Sequence, residues 1–218
     1  MVGGTHRRSD SYVRSDGGAP VMIGIFGGTF DPVHLGHLAI ADDVANAFGL
    51  AEVLFVPNAR SPLRRAPVAS PSQRFEMCEL ATSGNNLFAV SRVDIDRDGP
   101  SYAIDTIRLL RAEYRDCEFA FIAGTDVLDE LRSWRDTDAL LREALMIVAE
   151  RPGVDGIDVD RAASEIGFAG RIVTHRAALM DVSSTDIRHR IRNGLPYRYL
   201  LHHRVYDYLR RHRIYKSS

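Results

Sequence analysis

The chain is expected to fold as an α/β protein on a doubly wound, mostly parallel open sheet. Three features predict this. Short, β-rich apolar runs alternate with amphipathic helical segments along most of the 218 residues. Several runs stop at glycine or proline, the first at Gly27-Gly28 and the second at Pro57. The helical segments between them are the crossovers that parallel strands need. In such sheets ligands bind at the carboxyl ends of the strands, where the strand order reverses.

Each element follows from its local pattern. Residues 21–26 form a β-rich run closed by glycines, hence a buried strand. Residues 35–48 carry Leu38, Ala41, Val44, Ala45 and Phe48 at helical spacing and stop at Gly49. Residues 53–56 make a second strand. Residues 58–71 hold three prolines and three arginines without periodicity, which reads as a mobile basic loop. A helix over 72–82 and a strand over 88–93 follow. The turn Asp98-Gly99-Pro100-Ser101 leads into a helix over 102–114 and a strand over 118–122 ending at Gly124. Helices at 126–131 and 137–144 precede strands at 145–149 and 171–174. Helices at 184–192 and 204–212, parted by Gly194-Leu195-Pro196, close the pattern. Residues 1–19, rich in Gly, Ser, Arg and Asp, are expected to be a disordered extension. Residues 20–218 then form a single domain whose 183–218 portion is helical.

Composition excludes several classes. A hydrophobic fraction of 45% with 26% charged residues is ordinary for a globular protein. A net charge of -1 argues against broad binding to nucleic acid or anionic membranes. No apolar run reaches the length of a membrane span, and Arg7, Arg8 and Arg14 are not followed by the apolar segment of a secretory signal. Cys78 and Cys117 stand far apart in apolar surroundings, as reduced core residues of a cytoplasmic protein do.

The chemistry concentrates in Gly24–His37, GIFGGTFDPVHLGH. Its glycines do not fit the dinucleotide fingerprint, and a Walker loop needs a Gly-Lys pair where the sole lysine is Lys216. What remains is a strand, a glycine-rich turn and a helix starting near Val33 or His34. Free amides at such a helix start form an anion site, and His34 and His37 lie three apart in its first turn. A metal would need a third ligand, and none stands at suitable spacing nearby. Simple packing leaves the glycines and the paired histidines unexplained, so a phosphate reading is preferred. A second anion site is Ser183-Ser184-Thr185-Asp186-Ile187-Arg188. On its own it is a helix cap at capping-box spacing. With its hydroxyls, and Arg188 one turn in, it can also cradle a polyphosphate.

These residues carry a resemblance. Thr29-x-Asp31-x-x-His34-x-Gly36-His37 resembles the signature of the adenylyltransferase superfamily, with His34 and His37 at the two histidine-type positions of its (H/T)xGH motif. Asp181–Arg188 resembles that superfamily's ISSTxIR segment. Asp98–Thr106 resembles the GPSYTxDT segment of bacterial nicotinate mononucleotide adenylyltransferases. Ile122-Ala123-Gly124-Thr125-Asp126 with Leu131 and Trp134 resembles their IxGxDxxxxLxxW segment, and Arg151-Pro152-Gly153 their RPG turn. The similarity spans roughly residues 21–215.

The resemblance implies a Rossmann-like nucleotidyltransferase fold and a reaction. AMP passes from ATP to nicotinate mononucleotide, giving deamido-NAD and pyrophosphate in NAD biosynthesis. It implies that His37 and Arg188 act on the transition state while His34 helps to bind ATP. Gly27, Gly28, Thr29, Phe30 and Gly36 surround the phosphates on that side, and Ser183, Ser184 and Thr185 face them. Gly124 and Asp126 border the nucleotide, and Arg151 lies near the ATP end. Trp134 stacks on the pyridine ring, with Tyr102, Ala103, Thr106, Arg135 and Arg64 as further acceptor contacts. Mg²⁺ enters on the ATP phosphates, so no protein metal ligand is expected. ATP and a pyridine mononucleotide are the partners, without nucleic acid or membrane, and a homo-oligomer is left open. Three departures from the pattern leave the choice between nicotinate and nicotinamide mononucleotide open. Leu63-Arg64 replaces His-Lys, Ala103 replaces Thr, and His202-His203 replaces a Pro-acidic pair. Rival readings are phosphopantetheine or a flavin nucleotide as acceptor, or a catalytically silent nucleotide-binding protein.

Overall fold

The structure, a computed structural model, describes residues 20–62, 66–150, 170–177 and 180–216. The alternation in the sequence resolves into strands β1 (Val21–Gly28), β2 (Glu52–Pro57), β3 (Phe88–Val90), β4 (Cys117–Gly124), β5 (Ala144–Ala149) and β6 (Ile172–His175). Among the described residues these form one six-stranded sheet in the order β3-β2-β1-β4-β5-β6, and every adjacent pair is parallel. The chain winds outward from β1 through β2 to β3, then crosses back to start again at β4. The order therefore reverses between β1 and β4, and a crevice opens at their carboxyl ends.

Helices cover both faces. On one side lie α1 (Leu35–Phe48), α2 (Pro71–Thr82), α6 (Ser184–Arg192) and α7 (His203–His212), which share an apolar cluster with Phe26, Phe55 and Ile122 of the sheet. On the other lie α3 (Ala103–Glu113), the short α4 (Asp126–Glu130) with its 3-10 continuation Leu131–Ser133, and α5 (Thr137–Glu143). Strands covered on both faces are continuous apolar runs, as VLFV of β2 and FAFIA of β4 are. The C-terminal helices enter the α1–α2 layer through Ile187, Ile191, Val205 and Leu209. Cys78 and Cys117 are free and buried, and burial raises the pKa of both thiols. No helix among the described residues is long and apolar enough to cross a membrane.

Local chemistry sets the element ends. α1 stops at Gly49, whose φ of 60° is the left-handed C-terminal conformation that glycine adopts without strain. α2 starts with a reciprocal cap between Ser70 and Gln73 and with Pro71 in its first turn. Two of the differences from the expected boundaries have a plain local cause. The first strand does not stop at residue 26 but includes its glycines, because Gly27 and Gly28 pair with Val56 and Pro57 of β2. The third strand ends at Val90 instead of residue 93. There Ser91 and Arg92 fold the chain into a turn, with Val93 N–H donating to Ser91 Oγ and Ile95 N–H to the Arg92 carbonyl. Residues 1–19 lie outside the described residues, as do Leu63 and Arg64 in the loop before α2.

One buried cation ties the crevice loops to the fold. Arg74, in the first turn of α2, is 0% exposed. Its Nη1 donates to the Thr29 carbonyl at 2.7 Å, and its Nη2 donates to the carbonyls of Asn58 at 2.6 Å and Ala59 at 3.2 Å. Its Nε donates to the Ala69 carbonyl at 3.3 Å. The loops after β1 and β2 and the approach to α2 thus meet on one guanidinium. Burial lowers its pKa from the usual arginine value, and the charge of Asp31 opposes that shift. Replacing Arg74 with Met fills the space but leaves several buried carbonyls without a donor. A loss of about 3–5 kcal/mol is expected, read as a lower urea midpoint at unchanged slope.

Candidate active site

The turn after β1 is organised by close packing. A Cβ on Gly27 would lie 3.0 Å from Phe121 Cζ, and one on Gly28 would lie 2.8 Å from Phe30 Cζ. Phe30, at φ 50°, turns its ring into a cluster with Phe26, Phe55 and His37, at centroid distances of 5.7, 5.7 and 5.0 Å. Asp31 follows, joined to Pro32 by a cis peptide, and is only 5% exposed. Its carboxylate accepts the N–H groups of Val68 at 2.9 Å and Ala69 at 3.0 Å, and the Tyr215 hydroxyl at 2.6 Å. Burial, and then the Asp31 charge, push the Tyr215 phenol far above its ordinary pKa, so it stays a neutral donor.

The two histidines take different places. His34 is the N-terminal cap of α1, 6% exposed, and its ring stacks on that of His37 at 3.6 Å. Its backbone N–H donates to His37 Nδ1 at 3.2 Å. That bond assigns Nδ1 as the acceptor, so a neutral His37 ring carries its proton on Nε2 and can donate from there. His37 lines a cleft of about 590 Å³, whereas His34 stands behind it and does not. Gly36 permits the stack, since a Cβ there would meet His34 Nδ1 at 3.2 Å.

α6 closes the site from the opposite side. Ser183 caps the helix by accepting the Asp186 N–H at 3.1 Å, and it does not line the cleft. Ser184 Oγ donates to the Pro32 carbonyl at 2.8 Å, pinning the α6 start to the β1 turn. Arg188 donates through Nη1 to the Asp31 carbonyl at 2.6 Å and through Nη2 to Thr185 Oγ1 at 3.2 Å. Ser184, Thr185 and Arg188 therefore line the same cleft end as His37. A guanidinium, an imidazole N–H and the start of a nine-residue helix meet there, a set that favours an anion.

The far end is aromatic. Trp134 packs edge-on against Phe121 at 5.8 Å and lines the cleft with Tyr102, Ala103, Thr106, Gly124 and Arg135. Arg135 lies 4.9 Å over the Tyr102 ring and pairs with Asp105 at 3.3 Å. Thr106 is buried, and its hydroxyl donates to Asp94 Oδ1 at 2.8 Å. Asp94 also takes Arg97 Nε at 3.0 Å. Asp126 opens α4, next to the cleft at Gly124, whereas Arg64 and Arg151 lie outside the described residues. Sequence reasoning missed Arg74, Asn58, Asp94 and Tyr215 and named Asp31 only as a motif letter. Asp31 sits inside the signature itself, but Arg74, Asn58 and Tyr215 make contacts across tens of residues, and Asp94 reaches Thr106 twelve positions on, none of which a local pattern marks. Among the described residues, no three His, Cys, Asp or Glu side chains are grouped to hold a metal ion.

The chain is similar to known proteins over most of its length. The cytidylyltransferase-like family matches residues 25–190. A probable nicotinate-nucleotide adenylyltransferase of Moorella thermoacetica is 41% identical over 204 residues, 90% of this chain and 93% of that protein. A protein of Salinispora arenicola with the same description is 42% identical over 194 residues, 88% of this chain and 100% of its own length. The structure of Plasmodium falciparum nicotinic acid mononucleotide adenylyltransferase complexed with NaAD superposes with a TM-score of 0.71. It does so at 18% identity, over 89% of this chain and 97% of that one, a likeness of fold.

The packing at the turn can be tested without any ligand. A methyl group at Gly28 has to displace the Phe30 ring, which His37 and Phe55 hold from behind. Gly28→Ala is expected to cost about 1–3 kcal/mol in a urea unfolding curve, the ordinary range for overpacking a filled core.

Proposed function

Because the chain belongs to the cytidylyltransferase-like family and, within it, groups with the nicotinate-nucleotide adenylyltransferases, we propose that it transfers AMP from ATP to nicotinate mononucleotide. The products are deamido-NAD and pyrophosphate, a step of NAD biosynthesis in the cytoplasm. The observation that carries the reading is one cleft with two unlike ends. His37, Ser184, Thr185 and Arg188 supply donors and positive charge at one, and Trp134 supplies a flat aromatic face at the other.

The reaction needs positioning and charge stabilisation more than acid–base help. The acceptor phosphate arrives as an anion, and one of its oxygens attacks the α-phosphorus of ATP. The new P–O bond forms as the bond to the bridging α–β oxygen breaks, and pyrophosphate leaves in line with the electron pair. No proton has to be removed from the nucleophile. The Nε2–H of His37 donates to a non-bridging oxygen as charge builds, and Arg188, already anchored to the Asp31 carbonyl, neutralises the leaving phosphates. Amides at the start of α6 add fixed dipoles that need no reorganisation. His34 contributes by holding the His37 ring in one tautomer and one orientation. Ser183 contributes as the cap that keeps the α6 start ordered. The donor set at this end is suited to phosphate oxygens and not to a metal, so magnesium bound through the triphosphate supplies further neutralisation. At the acceptor end Trp134 stacks on the pyridine. Thr106 has committed its proton to Asp94, so recognition of the nicotinate carboxylate falls to backbone amides near Tyr102 and Ala103.

Two measurements check the assignment. Purified protein with ATP and Mg²⁺ is offered nicotinate mononucleotide, its amide, phosphopantetheine and riboflavin phosphate, and pyrophosphate release is followed. Nicotinate mononucleotide is expected to give the highest kcat/KM. A preference for the amide would overturn the acceptor, and silence with all four would overturn the enzyme. In the same assay His37→Ala is expected to lower kcat by about 100–1,000-fold, with the ATP KM changed only a few-fold, as for loss of one transition-state donor. Trp134 is the single tryptophan, so pyridine stacking is also expected to quench its emission in the absence of ATP. An unchanged emission spectrum on saturation with the acceptor would remove Trp134 from the acceptor site.

A further inference from the structure

Past α7 the chain reverses and re-enters the core. Arg213 and Tyr215, neither of them glycine, both lie in the left-handed region, at φ 52° and 67°. L side chains adopt that backbone only when other contacts hold them there. The contact made by Tyr215 is specific. It is 6% exposed, and its hydroxyl reaches Asp31 Oδ1 at 2.6 Å, 184 positions away in sequence.

That hydroxyl acts on a carboxylate with competing neighbours. Asp31 Oδ1 also accepts the Ala69 N–H, and Oδ2 accepts the Val68 N–H. Arg188 Nη1 stands 3.8 Å from Oδ2 while its shorter bond, 2.6 Å, goes to the Asp31 carbonyl. The guanidinium therefore lies between a buried anion behind it and the cleft in front. The more fully other donors satisfy the carboxylate, the less it draws Arg188 into a closed ion pair. Arg74 already spends its donors on four carbonyl groups and donates none to Asp31 among the described hydrogen bonds.

We propose that Tyr215 is a positioning residue for phosphate binding. Its hydroxyl shares the charge of the buried Asp31 carboxylate and so leaves the Arg188 guanidinium turned to the cleft. The C-terminal tail is then part of the nucleotide site without touching the nucleotide. The inference rests on the reading of Arg188 as a ligand of the ATP phosphates.

The test uses the full chain and the isosteric change Tyr215→Phe, with each protein assayed below its own melting midpoint. Titration calorimetry with Mg-ATP in the absence of acceptor gives the binding constant, and steady-state kinetics give both KM values. The ATP dissociation constant and ATP KM are expected to rise about tenfold, the scale of one charge-assisted hydrogen bond, while the acceptor KM stays within about twofold. In an Arg188→Ala background, the same Tyr215→Phe change is expected to alter ATP binding by less than about twofold, because the group it acts through is gone. Wild-type ATP affinity in Tyr215→Phe would overturn the proposal. So would equal shifts in the two KM values, or an undiminished effect in the Arg188→Ala background. A Tyr215→Phe chain with no folded temperature range would overturn it as well, by making the hydroxyl a matter of stability alone. Failure of the functional reading is seen separately, as absence of pyrophosphate release by the wild-type chain with every acceptor, since ATP binding is read without turnover.

Discussion

The crevice depends on a pair of opposite charges buried under the first loop. Arg74 has no exposed surface and holds the carbonyl groups of Thr29, Asn58, Ala59 and Ala69, while Asp31, nearly as buried, holds the amides of Val68 and Ala69. Loops at strand ends have few apolar side chains to bury, and their backbone groups have lost strand partners. An internal cation for the carbonyls and an internal anion for the amides meet both needs. The arrangement is demanding, because an unmatched charge at such depth is destabilising by several kcal/mol. In return Thr29, Asn58 and Ala59, where the loops after β1 and β2 begin, are tied to α2 without any ligand.

Under the proposed function, side chains held at that point supply the chemistry. Phosphoryl groups carry charge that shifts during transfer, and fixed donors stabilise it without first having to reorient. His37 is fixed through Nδ1 by the backbone of His34 and from the sides by Phe26 and Phe30. Arg188 is fixed by the Asp31 carbonyl and Thr185, and Ser184 anchors its helix to Pro32. The Arg188–Asp31 and Ser184–Pro32 bonds cross from α6 to the turn that leads into α1, so both sides of this cleft end share one foundation. The aromatic end of the cleft is built on different principles: an aromatic face on Phe121, and hydroxyl and guanidinium groups already committed to Asp94 and Asp105.

The fold was legible because its signals are local and repeated. Alternating strands and helices, with turn residues between them, define a parallel sheet, and the observed order 3-2-1-4-5-6 has its reversal where the glycine turn lies. The histidine turn and the Ser-Ser-Thr cap could also be read, since each lies within one short stretch. Their division of labour could not. Nothing in the spacing of His34 and His37 says that one faces the cleft while the other stands behind it, because both positions share a helical face. Ser183 and Ser184 look alike in sequence, yet one caps its own helix and the other reaches Pro32. The glycines were read as a stop and proved to be paired strand residues chosen for close packing against Phe121 and Phe30. Arg74, Asp94 and Tyr215 were invisible for one reason: each works by a contact that only the folded topology creates. Arg64 and Arg151, expected at the two ends of the site, lie outside the described residues.

The central claim is that His37 and Arg188 act on one triphosphate from opposite sides, as a clamp and not as two separate aids. A double-mutant cycle on kcat with His37→Ala and Arg188→Ala addresses it directly. Groups that stabilise one developing charge are strongly coupled, so the double variant is predicted to retain at least about tenfold more activity than the product of the two single losses. Losses that simply multiply would mean that the two side chains act independently, and would contradict the account.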